Sequence, residues 1–278
     1  MGKFQLLASR LVEAGLAPEG FAEPEPPSLE VLLGVHGQDY VRDFLAGKLP
    51  AGVMRRIGLP WSPELAARTR LAVGGTLLTA ELALENGLAC NTAGGTHHAF
   101  PDYGSGFCIF NDIAVAAMEL VKRSWAQRIL IVDLDVHQGD GTNQIFRNTR
   151  DVFTFSIHGE RNFPVRKVPG DFDLALPDGT GDGLYLQSLR ETLPHLLDRV
   201  NPDFVFYDAG VDVCESDRLG RFTMTREGMY QRDQYVLSEA RSRGIPVACV
   251  IGGGYHFDLN ELVERHAVLF QVVADHFR

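Results

Sequence analysis

The chain has 278 residues, 45% of them hydrophobic and 22% charged, with a formal net charge of −10. That length allows one large α/β domain or two small ones. The acidic balance argues against a protein that grips nucleic acid over a wide surface and suits a cationic peptide or amine as substrate. No apolar run reaches membrane-spanning length.

Residues 2–15 read as an amphipathic helix, followed by the Pro-rich stretch 23–27. Ser28 can cap a short helix through Leu33, and residues 36–45 suggest another, with His36 structural. Ser62-Pro63-Glu64 is a helix start, opening a long helix or helix pair through Leu84 that Gly74-Gly75 interrupts. A short strand over 88–91 precedes the loop GGTHHA, and GFCIFND runs into a helix over 113–121. The apolar run Ile129–Val132 plus Leu134 predicts a strand buried on both faces of a parallel sheet. Residues 151–157 form another strand, 159–183 a long loop region, and 184–200 a helix. The buried strand 204–207, a helix over 225–241, a last strand over 245–251 and a helix from 259 complete the chain. The βαβ alternation predicts one three-layer domain over 1–278.

Four cysteines, Cys90, Cys108, Cys214 and Cys249, lie scattered without a C-x-x-C pair. This is the pattern of free thiols in a reducing compartment, so a soluble cytoplasmic protein is expected.

The polar residues gather at strand ends. Asp133, Asp135 and His137 occupy every second position, so on a continued strand their side chains point to one side. Two carboxylates and an imidazole there fit a divalent metal site, the alternative being acids that cap the next helix. Asp135 and His137 supply an oxygen and a nitrogen, and Asp212 a second oxygen, with Asp208 competing for that role. Three such ligands suit a catalytic zinc, while iron or cobalt remains open. His97 and His98, in a glycine loop, can divide acid and base work, with Asp133 and Asp140 available to fix their tautomers. They could instead bind the metal or line a surface loop. Tyr255 follows three glycines and can aim its phenol at an oxyanion. Phe107 and Phe163 are either core residues or walls of an apolar slot.

VDLDVHQGDG, GGTHHA, GFCIFND, the spacing from Asp212 to DRLG, and GGGY together resemble the histone deacetylase superfamily, which includes acetylpolyamine and acetoin-utilisation amidohydrolases. HGERNFPVRK and LPDGTGDGLYL look most like its class IV-related bacterial branch. The resemblance implies the arginase-deacetylase fold, a parallel sheet of about eight strands between helices. It implies zinc on Asp135, His137 and Asp212, with Fe2+ as an alternative. It places the paired histidines at His97 and His98, with Asp133 and Asp140 behind them. The transition-state tyrosine falls on Tyr255, and the acyl-lysine tunnel includes Gly106 and Phe107. A structural potassium ion falls on Asp133, Asp135, His137, Ser156 and Ile157. Relatives begin with a strand before the segment matching MGKFQLL, so here that strand is expected to be missing, altering one sheet edge and one tunnel wall. The implied reaction is removal of an acetyl or longer acyl group from lysine by metal-activated water, His97 serving as base and His98 as acid. The alternatives are a deacetylase of acetylated polyamines, a two-metal ureohydrolase and an inactive acyl-lysine reader.

Overall fold

Strand β2 (Ile129–Asp133), apolar up to its last residue, lies fully buried near the middle of the sheet, as its composition predicts. The computed structural model describes residues 2–277. Around β2 the sheet runs β1 (Leu88–Cys90), β6 (Val247–Val250), β5 (Phe204–Asp208), β2, β3 (Val152–Gly159), β4 (Phe172–Leu176), every pair parallel. Side chains alternate between two apolar layers. Leu130, Val132, Val205 and Tyr207 face α8 (Asp182–Val200), α9 (Arg226–Ser242) and α10 (Leu259–His276). Ile129, Ile131, Phe204 and Phe206 face α5 (Pro63–Asn86) and α6 (Asp112–Lys122). A third cluster joins α5 to α2 (Leu29–Leu33), α3 (Gln38–Leu45) and α4 (Ala51–Ile57), and α1 (Gly2–Glu13) packs on α10.

From β2 the chain steps outward to β3 and β4, then returns to the other side of β2 for β5 and β6. The order therefore reverses between β2 and β5, and a parallel sheet opens a crevice beyond its carboxyl ends at such a point. Asp133 closes β2 there, in register with Ser156 on β3 and Asp208 on β5.

Four expectations need correction. The sheet has six strands among the described residues, not about eight, because everything before Leu88 that is regular is helical. The region 159–183 is not all loop. Its alternating Phe172, Leu174 and Leu176 form the edge strand β4, masked in the sequence by the glycines and acids around it. Strand β2 ends at Asp133, so Asp135 and His137 stand on the loop before α7 (Asp140–Phe146) and do not converge through strand alternation. That loop is held by its own acids, Asp133 accepting from the Asp135 N–H and Asp135 from the His137 N–H. Finally, α5 runs unbroken through Gly74-Gly75.

Gly74 is there for packing: a Cβ would lie 2.1 Å from the Glu25 carbonyl oxygen, where the Pro-rich segment crosses the helix. Gly74→Ala is therefore expected to destabilise the fold by about 1–3 kcal/mol despite alanine's better helix propensity. Denaturant unfolding measures this, and an unchanged or raised midpoint would mean that the Pro-rich segment yields at no cost.

Candidate active site

Beyond the carboxyl end of β2, three side chains meet out of reach of solvent. His137 Nδ1 lies 3.0 Å from Asp135 Oδ1 and 3.0 Å from Asp212 Oδ2. All three are buried, and their ligand atoms lie within 4.8 Å of one another. Burial opposes charge on His137, but the hydrogen bonds to Asp135 and Asp212 outweigh it and raise its pKa to about 10. Burial and the neighbouring Asp135 lift the Asp212 carboxyl to about 7. Crowded carboxylates here draw protons into a site where a divalent cation would serve, and a buried oxygen, oxygen, nitrogen set suits one.

The structure brings Asp212, not Asp208, beside His137. Asp208 sits behind His97, its Oδ2 4.0 Å from His97 Nδ1, with neither oxygen hydrogen-bonded among the described residues. Burial and Asp133 push its pKa well above the usual carboxylate range. His97, Asp133 and Asp208 make a second group whose atoms could hold a metal.

The glycine loop before the histidines folds as the sequence requires, with Gly95 at φ +89 against the backbone of Gly252. It presents both rings inward. His97 Nδ1 binds Asp133 Oδ2 at 2.8 Å, His98 Nδ1 binds Asp140 Oδ1 at 2.7 Å, and the two Nε2 atoms are 3.2 Å apart. Asp133 and Asp135 overcome burial to raise His97 well above the ordinary histidine value, whereas burial and the neighbouring His97 lower His98 to about 4. With His97 as the charged ring and His98 neutral, the contacts are satisfied by one proton arrangement. His97 donates from Nδ1 to Asp133 and from Nε2 to His98, whose own Nδ1 donates to Asp140.

Above the histidines, a slot is walled by aromatic rings. His98 meets Phe163 edge-on with centroids 4.8 Å apart, and Phe107 lies 5.9 Å from Tyr255. Phe107 and Phe163 are 46% and 42% exposed, which places them on walls and not in the core. Gly106, at φ +53, passes His98 so closely that a Cβ would lie 2.7 Å from its ring. Tyr255 is 6.2 Å from His137, ring to ring, and burial together with Asp135 keeps its phenol protonated. Behind the histidines a cavity of about 250 Å³ opens toward Lys3 and Arg68. Ser156 and Ile157 lie on β3 beside Asp133, with Ser156 Oγ 3.0 Å from His158 Nδ1.

The Histone deacetylase domain family model matches residues 1–269 of this chain. The chain belongs to the histone deacetylase family. An uncharacterized protein of Picosynechococcus sp. is 55% identical, over 99% of this chain and 92% of its own length. A probable deacetylase of Methanothermobacter thermautotrophicus is 30% identical, over 91% of this chain and 79% of its own. Crystal structures of an HDAC homolog, one from Aquifex aeolicus and one complexed with SAHA, each superpose with a TM-score of 0.83 at 26% identity. Each superposition covers 96% of this chain and 77% of theirs. The protein is thus a hydrolase acting on amides, on the arginase-deacetylase fold.

Sequence reasoning missed two supports of this deacetylase site. The buried Arg232 guanidinium donates to the Gly210 carbonyl at 2.7 Å and to those of Leu134 and Ala209 at 3.3 Å, tying together the loops that carry Asp135 and Asp212. Asp233 receives Arg232 Nε at 2.8 Å. The signal was present, since 232 and 233 fall on the same helical stripe as Met229, Val236 and Leu237. Asp217 accepts the backbone N–H groups of Leu219, Gly220 and Tyr255, while Arg218 N–H donates to the Tyr255 carbonyl. The DRLG turn thereby fixes the backbone of Tyr255.

Proposed function

We propose that this deacetylase removes an acetyl or longer acyl group from a lysine side chain with one divalent cation, zinc in the first instance, held by Asp135, His137 and Asp212. The observation that carries this reading is the convergence of those three buried groups beside the His97–His98 pair, at the foot of an aromatic slot. A cation bound there supplies Lewis-acid polarisation of the amide carbonyl and lowers the pKa of water.

The residues divide the rest. Phe107, Phe163 and Gly106 take the aliphatic stem of the lysine, and Tyr255 donates its hydroxyl to the oxygen that gains charge. The electrostatics support the reverse of the division expected from sequence. His98, neutral and fixed by Asp140, takes the proton of the attacking water at Nε2. His97, protonated and anchored by Asp133, stabilises the anionic transition state and returns a proton to the leaving amine. Asp133, Ser156 and Ile157, with the main chain of Asp135 and His137, are proposed as the potassium site. A reducing cytoplasmic setting is proposed from the four thiols, all free in the structure.

Elemental analysis tests the ligand set. Purified protein is expected to carry about one zinc or iron per chain, and Asp212→Ala to lose it, since removing one of three protein ligands leaves two. Asp208→Asn should keep the metal, because Asp208 sits behind His97 and outside the Asp135–His137–Asp212 group. Two equivalents of manganese, one of them lost in Asp208→Asn, would instead favour the ureohydrolase reading, which the second His97–Asp133–Asp208 group makes worth testing.

A further inference from the structure

The whole-chain charge of −10 suggests a cationic substrate, but the charged side chains that line the tunnel mouth are arginines. A cleft of about 300 Å³ leads down to His98, His137 and Tyr255, and apart from histidines its charged lining among the described residues is Arg161 and Arg221. Both stand out toward solvent, with side chains 70% and 53% exposed. Their acidic neighbours, Glu160 at 3.4 Å from Arg161 and Asp178 at 3.0 Å from Arg221, do not line the cleft, and such exposed pairs are weak enough to open to a competing carboxylate. Arg218, beside Asp217 on the turn whose backbone holds Tyr255, lies outside that lining, stacked 3.7 Å over Phe257. The two loops are joined where Asn162 Nδ2 donates to the Leu219 carbonyl at 2.8 Å, so the arginines stand on a braced rim.

We propose that this rim selects acyl-lysine set in acidic sequence, Arg161 and Arg221 reading carboxylates that flank the modified residue. The proposal rests on the deacylase reading above and narrows its substrate. Guanidinium forks pair well with carboxylates. An acetylated polyamine, or a lysine-rich tail, would bring ammonium groups among these arginines and meet repulsion. The slot itself, being apolar, is indifferent to the flanks, so discrimination lies in capture and shows mainly in kcat/KM.

The test uses the intact, metal-loaded protein and peptides of equal length with one acetyl-lysine, flanked by Asp/Glu, by Gly/Ala or by Lys/Arg, together with an acetylated polyamine. Expected is kcat/KM in the order acidic, neutral, basic, with the acidic peptide ahead of the basic one by roughly tenfold or more at low ionic strength. The polyamine should fall with the basic peptide, and raising the salt to about 0.3 M should contract the ratio toward one. In the double variant Arg161→Glu, Arg221→Glu the ratio should invert. Peptide binding to His98→Ala protein, followed by fluorescence anisotropy, should give the same order without turnover. If the double variant does not fold, the salt dependence of the unaltered protein decides. Turnover of the neutral peptide with no charge preference, or with preference for the basic peptide or the polyamine, overturns this proposal and leaves the deacylase reading standing. No turnover of any substrate by metal-replete protein overturns the deacylase reading and this proposal with it.

Discussion

Replacing His98 with alanine is expected to lower kcat by on the order of 10²-fold or more while the metal content stays unchanged. The expectation rests on position, since His98 Nε2 is the one ring nitrogen of the pair that neither binds a carboxylate nor carries a proton in the network. His97→Ala should cost a comparable factor by a different route, losing the positive charge and the returning proton. The pH profile tells the two apart. A base must be neutral, so activity should rise as pH climbs through the His98 pKa, which burial and His97 hold below the ordinary value, about 4 in the cation-free protein. An acid must be protonated, so activity should fall as pH passes the His97 pKa, which Asp133 and Asp135 raise well above 6.5. The profile is then a broad bell with neutral pH on its plateau. His97→Ala should remove the alkaline fall, and His98→Ala the acid-side rise. Limbs lost in the opposite order would restore the division first expected from sequence, with His97 as base. Loss of metal from His98→Ala protein would make that residue a ligand and end the acid–base scheme.

The parts legible in the sequence are those with a local cause. The buried parallel strands follow from unbroken β-branched runs such as Ile129–Val132, and the start of α5 from Ser62, whose Oγ accepts the Leu65 N–H at 3.1 Å. The gathering of Asp135, His137, Asp212, His97 and His98 at one sheet edge also follows, because each comes after a strand and parallel strands end on the same side. What escaped is what depends on distant segments. Gly74 looks like a helix breaker until Glu25 is seen to cross it. Strand β4 is recognisable only once β3 offers it an edge. The convergence of Asp135 with His137 was expected for a reason that fails, since both residues stand past the end of β2. The loop brings them together through the hydrogen bonds of its own carboxylates. The raised pKa of Asp208 and the clamp of Arg232 arise from burial between layers, which no local pattern encodes.

Tyr255→Phe is expected to keep the fold, the metal and the substrate affinity, yet to lower kcat by roughly 10²–10³-fold, the scale of one lost oxyanion donor. The structure separates the hydroxyl from everything else the residue does. Its backbone is fixed independently of the side chain, by Asp217 accepting the N–H at 2.6 Å and the carbonyl accepting from Arg218 N–H at 3.0 Å. Its ring packs near Phe107 and His137, contacts that phenylalanine reproduces. The phenol makes no hydrogen bond among the described residues that its removal would leave unsatisfied, so its proton is available to the reaction. Burial and the surrounding carboxylates hold its pKa well above 10, and it therefore donates across the whole working pH range. A donor that meets the oxygen only as charge develops contributes to kcat and leaves KM nearly unchanged. Steady-state kinetics on an acetyl-lysine peptide, with metal content and thermal unfolding as controls, gives the answer. A rise in KM at constant kcat would make the hydroxyl a ground-state contact. Turnover close to that of the unaltered protein would mean that the GGGY loop only shapes the slot, and the oxyanion would then need another donor.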